Sequence, residues 1–247
     1  MDKLIHIRQA AQLLGVTPMT LRRYDASGVL RAIRKGSRGD RYYLPEDLDN
    51  FLLQKGDLGS MAKEWMAVPA SQASEITPAH YCSTRDIFVA RADKLQLELA
   101  KLYPDNPITS IVPAVVGEIG NNAFDHNIGN WPDIPGIFFA YNLNKKTVVI
   151  ADRGQGILQT LRRVKPSLAN DTEALEVAFT ETLSGRAPEA RGNGLKFVKK
   201  SVESYPLTLI FQTGSAELEL STRTSSLDIH PARVTLRGCY ALIEYEI

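Results

Sequence analysis

Cysteine is scarce in this sequence, with only Cys82 and Cys239 among 247 residues. Two cysteines so far apart in the chain exclude a disulfide framework, and they exclude a zinc site with four cysteine ligands. Isolated cysteines of this kind usually pack as small apolar residues. We therefore expect both thiols to fill the core of a protein from a reducing compartment, the cytoplasm.

Long hydrophobic runs are also absent. The longest apolar stretches, such as residues 111–116, are far shorter than the roughly 20 residues of a membrane-spanning helix. The N-terminal segment 1–11 lacks the apolar core of a signal peptide. Hydrophobic residues make up 44% of the chain and charged residues 23%, which is ordinary for a globular protein. We expect one large or two small domains, with no membrane segment and no secretory leader.

The chain has little net charge, +1 at neutral pH, but its charge is spread unevenly. Residues 1–54 contain nine Lys or Arg against six Asp or Glu. Five of these basic residues fall within residues 31–43, where Asp40 is the only acidic residue. A local excess of positive charge favours contact with a polyanion more than the overall balance does.

The first 54 residues have the pattern of a winged helix-turn-helix. Apolar residues recur at helical spacing over residues 4–14. Thr17 and Pro18 suit the N-cap and the first position of a second helix. The basic segment 31–44 alternates around two glycines, which predicts a hairpin wing, and residues 45–54 predict another helix. Two helices followed by a basic hairpin are typical of a DNA-binding domain.

Two segments, GVTPMTLRRYDASGVL (15–30) and RYYLPEDL (41–48), resemble the MerR and excisionase DNA-binding family. The resemblance implies duplex DNA as a partner, with the second helix in the major groove and the wing on phosphate. It implies DNA contacts by Thr17, Thr20, Arg22 and Arg23 on the helix, and by Arg38, Arg41 and Tyr42 on the wing. A solvated basic face is the alternative for the arginines. The long dimerising helix and effector module of MerR regulators do not follow here, so their sensing of metals or drugs is not implied.

The rest of the chain predicts a linker and an α/β domain. Residues 55–84 are interrupted by glycine and proline and are predicted as a linker, and residues 85–247 as the second domain. Periodicity predicts helices at 85–102, 110–127, 172–182 and 195–204, and strands at 136–142, 147–152, 207–214, 216–223 and 240–247. The strands 207–214 and 216–223 are expected to form a hairpin. Helices on one side of a mixed sheet would give a two-layer α/β sandwich, so the whole chain is predicted to be α+β.

Three short motifs in this second domain bear on its chemistry. In EIGNNAFDH (118–126), the spacing places Glu118, Asn122 and Asp125 on one face of a helix. IADRGQGI (150–157) is an apolar run that ends in a carboxylate and then two glycines. RGNGLKFV (191–198) is a glycine-rich loop that leads into a helix, whose free N–H groups favour phosphate.

In this order the three motifs resemble those of the GHKL ATPases, whose ATP-binding domain has the Bergerat fold. The variant Glu118, Asn122, Ala123, His126 is most similar to that of the anti-sigma-factor kinases. The resemblance covers roughly residues 85–247 and implies ATP and Mg²⁺ as cofactors. It implies that Glu118 is the general base, that Asn122 holds Mg²⁺, and that Asp152 accepts a hydrogen bond from the adenine amino group.

The resemblance also implies a wider set of ATP contacts. Two glycines of the second motif would let the backbone approach the base, and those of the third would close a lid on the phosphates. The implied cofactor-binding residues are Asn122, Asp125, His126, Asp152, Gly154, Gly156, Ile157, Arg191, Gly192, Gly194 and Leu195. Two roles stay open here. His126 would contact phosphate or cap its helix, and Asp125 would order water or lie exposed.

Three functions are compatible with these features. The first is a DNA-bound regulator, expected to be a homodimer, that ATP binding or slow hydrolysis switches. The second is a serine/threonine protein kinase of the anti-sigma type, tethered to DNA, which acts on a partner protein. The third is a protein that keeps ATP as a structural ligand. A sensor histidine kinase is disfavoured, because the remaining histidines, His6, His80 and His230, lack the context of a phosphoacceptor.

Overall fold

The structure is a computed structural model, which describes residues 4–14, 16–36, 39–48, 51, 57–76, 80–181, 193–222 and 227–247. The chain divides into two compact units, Met1–Asp57 and Leu58–Ile247. Both units mix helices with antiparallel sheet, so the chain is α+β as predicted.

The first unit places two helices beside a small sheet of three strands. Thr17 caps the second helix as predicted, because its side-chain oxygen accepts a hydrogen bond from the Thr20 backbone at 3.2 Å. The same helix ends at Gly28, whose φ of 76° is left-handed. The elements are β1 (Ile5–His6), α1 (Ile7–Leu13), α2 (Pro18–Ser27), β2 (Ile33–Lys35) and β3 (Asp40–Tyr43), and residues 45–48 are helical.

Strands β2 and β3 form the predicted hairpin wing, and β3 also pairs with β1, so the sheet order is β1-β3-β2. Tyr43 joins this sheet to the helices, since its ring is fully buried and its hydroxyl donates to the Leu21 carbonyl of α2 at 3.3 Å. The core of the unit is formed by Ile7, Ala10, Ala11, Leu21, Leu30, Tyr43, Leu48 and Phe51. This core fixes the wing against α2.

The second unit is built on one sheet of five strands in the order β4-β5-β6-β8-β7. Its helices are α3 (Leu58–Ala67), α4 (Ala70–Ile76), α5 (Arg85–Leu102), α6 (Ile108–Asn127), α7 (Gly156–Leu161), α8 (Asp171–Thr180) and α9 (Gly194–Ser204). Its strands are β4 (Tyr81–Cys82), β5 (Ile137–Asn142), β6 (Thr147–Asp152), β7 (Leu207–Ser221) and β8 (Asp228–Tyr245). The long helices and the β5–β6 hairpin lie within a few residues of their predicted positions.

Two predictions about the sheet are wrong. Every strand pair in the described part of the chain is antiparallel, so the sheet is not mixed. The expected hairpin between 207–214 and 216–223 is instead one continuous strand, β7, which pairs with β8 along its length. Gly214 is the reason, because its φ of 54° accommodates a register shift in the ladder rather than a turn.

The sheet is covered on both faces, which differs from the predicted two layers. One face packs on α5, α6, α8 and α9 through a core that includes Phe88, Phe139, Phe179 and Phe211. On the opposite face, the fully buried Trp65 of α3 lies 6.1 Å, centroid to centroid, from Phe138 of β5. Most of the predicted linker is therefore part of the second unit, which begins at Leu58.

Candidate functional site

A cavity of about 380 Å³ lies in the second unit, between α6, the starts of α7 and α9, and the strands β6, β7 and β8. All three sequence motifs contribute to its wall. Nine of the predicted site residues line it, namely Glu118, Asn122, Asp125, His126, Asp152, Gly156, Ile157, Gly194 and Leu195. Arg191 and Gly192 lie outside the described residues. The structure therefore brings together side chains that are up to 77 positions apart in the sequence.

Asp152 is the buried carboxyl of this cavity. It ends strand β6 and is only 3% exposed, and this burial raises its pKa to about 7. Hydrogen bonds act against that rise: the backbone N–H groups of Gly154, at 2.8 Å, and of Cys239, together with the Cys239 thiol, favour the ionised form. A carboxyl in this setting is poised between its neutral and ionised forms near neutral pH.

Cys82 fills the core as predicted, and Cys239 packs against the edge of the same core. Cys82 is fully buried, whereas Cys239 is half-buried and lines the cavity beside Asp152. Burial and the nearby carboxylate raise the pKa of the Cys239 thiol well above its ordinary value. The thiol is therefore protonated at neutral pH and is not a nucleophile.

The turn after Asp152 is fastened to helix α6 by Asn127, a residue that sequence reasoning did not single out. The Asn127 amide donates to the Ala123 carbonyl at 2.8 Å and accepts from the Gln155 backbone at 2.9 Å. A Cβ at Gly154 would lie 2.1 Å from the Asn127 side-chain nitrogen, so glycine is required there. Gly154 itself does not line the cavity, and it packs closely against the Asn127 side chain.

Thr213 of β7 is a second residue that no motif revealed. Its hydroxyl accepts from the Ile157 backbone at 3.1 Å and donates to the Gly238 carbonyl at 3.2 Å. It thereby joins the start of α7 to strand β8 directly behind the glycine turn. Gly156 in that turn has a φ of 76°, a conformation that side chains disfavour.

Helix α6 supplies the polar wall of the cavity. Glu118 and Asn122 are one helical turn apart and both line it. Asp125 forms an ion pair with Arg85 from the first turn of α5, and both side chains line the cavity. Asp125 is thus neither exposed nor unpaired, and Arg85 brings a positive charge to the wall that the sequence did not predict.

His126 lies beside these residues in the last turn of α6. Its Nδ1 atom is buried and has no hydrogen-bond partner among the residues that the structure describes. Burial lowers the pKa of this imidazole, and the positive charge of Arg163 lowers it further. His126 therefore presents a neutral ring to the cavity at physiological pH.

The start of helix α9 presses against α6. A Cβ at Gly194 would lie 2.5 Å from a carboxylate oxygen of Glu118 and 3.2 Å from the side-chain nitrogen of Asn122. A larger residue at position 194 would therefore displace the Glu118 carboxylate. In the described part of this helix end, Asn193 makes no side-chain cap, so backbone N–H groups remain available beside the cavity.

The first unit presents two exposed arginines, Arg22 and Arg23, on α2 as predicted. Thr17 and Thr20 are joined by a hydrogen bond of 2.9 Å between their hydroxyls at the start of that helix. Tyr42 packs edge-on against His6 at 5.3 Å between ring centroids. Arg38 lies outside the described residues.

Arg41, which is predicted to contact phosphate, forms an ion pair within the first unit. Its Nε lies 2.6 Å from the Asp25 carboxylate, which also binds Arg34 at 2.9 Å and the Ala32 backbone at 3.1 Å. Asp25 lies on α2 and the two arginines lie on the strands of the wing. This ion-pair network braces the wing against the helix that carries Arg22.

The network predicts an acid dependence of the first unit. The Arg41 guanidinium lowers the pKa of Asp25 below the ordinary value of 3.8, against the opposing effect of burial. Because the folded pKa is depressed, the stabilisation is present above pH 3.8 and is lost as the pH falls below it. In thermal melts of residues 1–57, we expect the Asp25→Asn variant to lose less stability between pH 5 and about pH 3 than the wild type does. Equal losses of stability in the two proteins would contradict a stabilising role of the ionised Asp25 carboxylate.

Comparison with protein families matches residues 5–55 to the MerR HTH family regulatory proteins. No curated protein sequence matches the chain. None of the helices in the described part of the chain has the length and apolarity needed to cross a membrane. The matched segment covers the two helices, the wing and the core of the first unit. Residues 5–55 are therefore a MerR-family helix-turn-helix domain, which suggests a DNA-binding regulatory protein.

Proposed function

We propose that this DNA-binding regulatory protein binds Mg²⁺-ATP in the cavity of its second unit, and that this unit is a GHKL-type ATP-binding domain. The observation that supports the proposal is the convergence of three separate motifs on one cavity. Their order along the chain is that of the GHKL ATPases, and an unrelated set of turns and helix ends would not be expected to meet at one place.

The residues present suit the nucleotide. Asp152 offers a buried acceptor for the adenine amino group, and Ile157 and Leu161 supply apolar walls for a base. Asn122 offers an amide oxygen, a ligand type that Mg²⁺ accepts alongside phosphate and water. When bound, the ion would neutralise phosphate charge. The backbone N–H groups at the start of α9 face the same region and favour phosphate.

The position of Glu118 supports its proposed role as the general base. It lines the cavity one turn before Asn122, so its carboxylate and the metal-binding amide face the same part of the pocket. A carboxylate there would orient a water molecule and take its proton during hydrolysis. The same carboxylate would serve a serine or threonine hydroxyl of a partner protein, which keeps the protein-kinase function as the second candidate.

A structural role for ATP without turnover is the third candidate. Phosphate release by the purified protein would support the ATPase, and transfer of labelled phosphate to a partner protein would support the kinase. Tight ATP binding with neither reaction would support the structural role.

Calorimetry with Asp152→Asn tests the nucleotide pocket. The substitution keeps the size of the side chain but replaces the carboxylate that faces the adenine amino group. A mispaired buried polar group costs about 1 to 3 kcal/mol, so we expect ATP affinity to fall by roughly tenfold or more. Asp93→Asn, at an exposed carboxyl on α5, is the matched control and should bind ATP normally. Wild-type affinity in Asp152→Asn would refute the assigned pocket.

ATP binding should also release protons near neutral pH. Burial raises the pKa of Asp152 to about 7 in this structure, and a donor amino group would stabilise the ionised carboxylate and lower that pKa. Affinity should therefore rise as the pH increases from about 6 to about 8. The binding enthalpy should depend on the ionisation enthalpy of the buffer in the wild type, and less so in Asp152→Asn. A dependence equal in both proteins would exclude Asp152 as the source of the proton.

A further inference from the structure

Arg153, the residue after Asp152, is a buried cation with an unusual set of partners. Its side chain is 4% exposed, and its Nη1 donates to the carbonyls of Trp65 at 2.5 Å and Met66 at 3.1 Å. Its other nitrogens donate to the Asp133 carboxylate at 2.6 and 3.0 Å. The guanidinium also lies 5.7 Å from the centre of the Trp65 ring. Arg153 therefore joins the glycine turn to helix α3.

The site on α3 suits a cation for physical reasons. Trp65 and Met66 lie in the last turn of α3, where backbone carbonyls lack partners within the helix and the helix dipole is negative. Asp133 compensates the buried charge of Arg153 and is itself contacted by Arg237 at 3.0 Å. These contacts fasten the end of α3 to the turn.

The two ends of this network have different neighbours along the chain. On one side, Arg153 directly follows Asp152, which lines the cavity. On the other side, α3 is the first element of the second unit, and its first residue follows Asp57, where the first unit ends. A displacement of the glycine turn would therefore act, through one side chain, on α3, the first helix after the DNA-binding unit.

We propose that Arg153 is a positioning residue that transmits ATP occupancy of the cavity to helix α3, and through it to the DNA-binding domain. The proposal rests on the proposed function for the identity of the ligand. A ligand that hydrogen-bonds to Asp152 and packs on the turn shifts the backbone of the residue that holds α3. A merely structural clamp would hold α3 identically in the free and the bound protein.

The fluorescence of Trp65 reports on the contacts between Arg153 and α3. The sequence contains two tryptophans, so Trp131→Phe leaves Trp65 as the single tryptophan of the 247-residue chain. In this background, Arg153→Met removes the charge and keeps much of the side-chain volume. Arg237→Met is the matched control, because Arg237 also contacts Asp133 but its side chain is 55% exposed.

The first measurement needs no nucleotide. Loss of two charge-assisted hydrogen bonds should speed hydrogen exchange in the last turn of α3 by about tenfold in Arg153→Met and leave it unchanged in Arg237→Met. Unchanged hydrogen exchange in Arg153→Met would show that Arg153 does not hold the end of α3. Should that variant not fold, Arg153→Lys keeps the charge without the forked geometry, and the same comparison applies to it.

The second measurement adds Mg²⁺-ATP and follows three quantities: affinity by calorimetry, Trp65 emission, and affinity for DNA. In the Trp131→Phe parent, we expect saturating ATP to change both Trp65 emission and DNA affinity. In the Arg153 variant, ATP affinity should stay within about threefold of the parent while both responses disappear. If both responses persist in that variant, or if ATP leaves the Trp65 emission of the parent unchanged, transmission through Arg153 is excluded. The proposed ATP binding would not be affected by either result. If calorimetry detects no ATP binding to the parent, the proposed function fails and the transmission fails with it.

Discussion

Glu118→Ala is expected to slow ATP turnover by about 10² to 10⁴-fold, the usual contribution of a positioned general base. The affinity for ATP should stay within about threefold, because a base that acts on the attacking group contributes little to ground-state binding. Phosphate release and calorimetry on the same preparations measure the two effects. The side chain lies in the cavity beside Asn122 and against Gly194, so the alanine variant removes the carboxylate from the part of the site assigned to phosphate.

Two controls separate chemistry from damage to the fold in that experiment. Glu118→Gln keeps the shape of the side chain and should be nearly as slow as the alanine variant. Glu203→Ala, at an exposed position on α9, should turn over ATP at the normal rate. A normal rate in Glu118→Ala would exclude Glu118 as the base. If the wild type neither releases nor transfers phosphate, the structural role of ATP becomes the preferred function.

Arg22→Ala and Arg23→Ala are expected to reduce the preference for the cognate DNA site by about 10- to 100-fold. A bidentate contact from arginine to a guanine edge is worth about 1–3 kcal/mol of discrimination. Both side chains are exposed on α2, the helix that we expect to enter the major groove by its resemblance to the helix-turn-helix of MerR regulators. Competition between cognate and random duplexes at fixed salt measures the effect. Equal losses on both duplexes would show that these arginines contact phosphate instead.

The wing residues should behave differently in the same assay. Arg38→Ala should weaken binding to all sequences and lower the salt dependence by about one unit for the lost phosphate contact. Arg41→Ala should leave that slope nearly unchanged, because its guanidinium is bound to Asp25. One such domain holds little DNA, so we propose that tight binding uses a dimer on two half-sites.

Local features were predictable from the sequence because their causes are local. Thr17, Pro18 and Gly28 define the ends of α2 through capping and backbone conformation, and the structure has them in those roles. The helix 85–102 was predicted with the bounds that the structure gives it, since its apolar stripe lies within the segment and its N-cap, Thr84, directly precedes it.

Long-range contacts explain what the sequence did not reveal. Asn127, Thr213 and Arg85 matter for the cavity because of partners 28 to 56 positions away, or because of the element that each faces. Gly214 illustrates the same limit within the sheet: a glycine between two apolar runs fits a turn and a bulge equally well. Only the pairing of β7 with β8 selects the bulge.

The packing of α3 fixes where an independently stable fragment of the second unit can begin. A fragment that starts at Arg85, the predicted domain start, would lack Trp65, which packs on Phe138. It would also lack the two carbonyl groups that accept hydrogen bonds from Arg153. The remaining fragment would expose an aromatic surface and leave a buried guanidinium partly unpaired, and both favour aggregation over folding. A fragment that starts at Leu58 keeps these contacts, so we expect residues 58–247 to fold as a unit, and an engineered fusion to another DNA-binding domain should join the chain before α3.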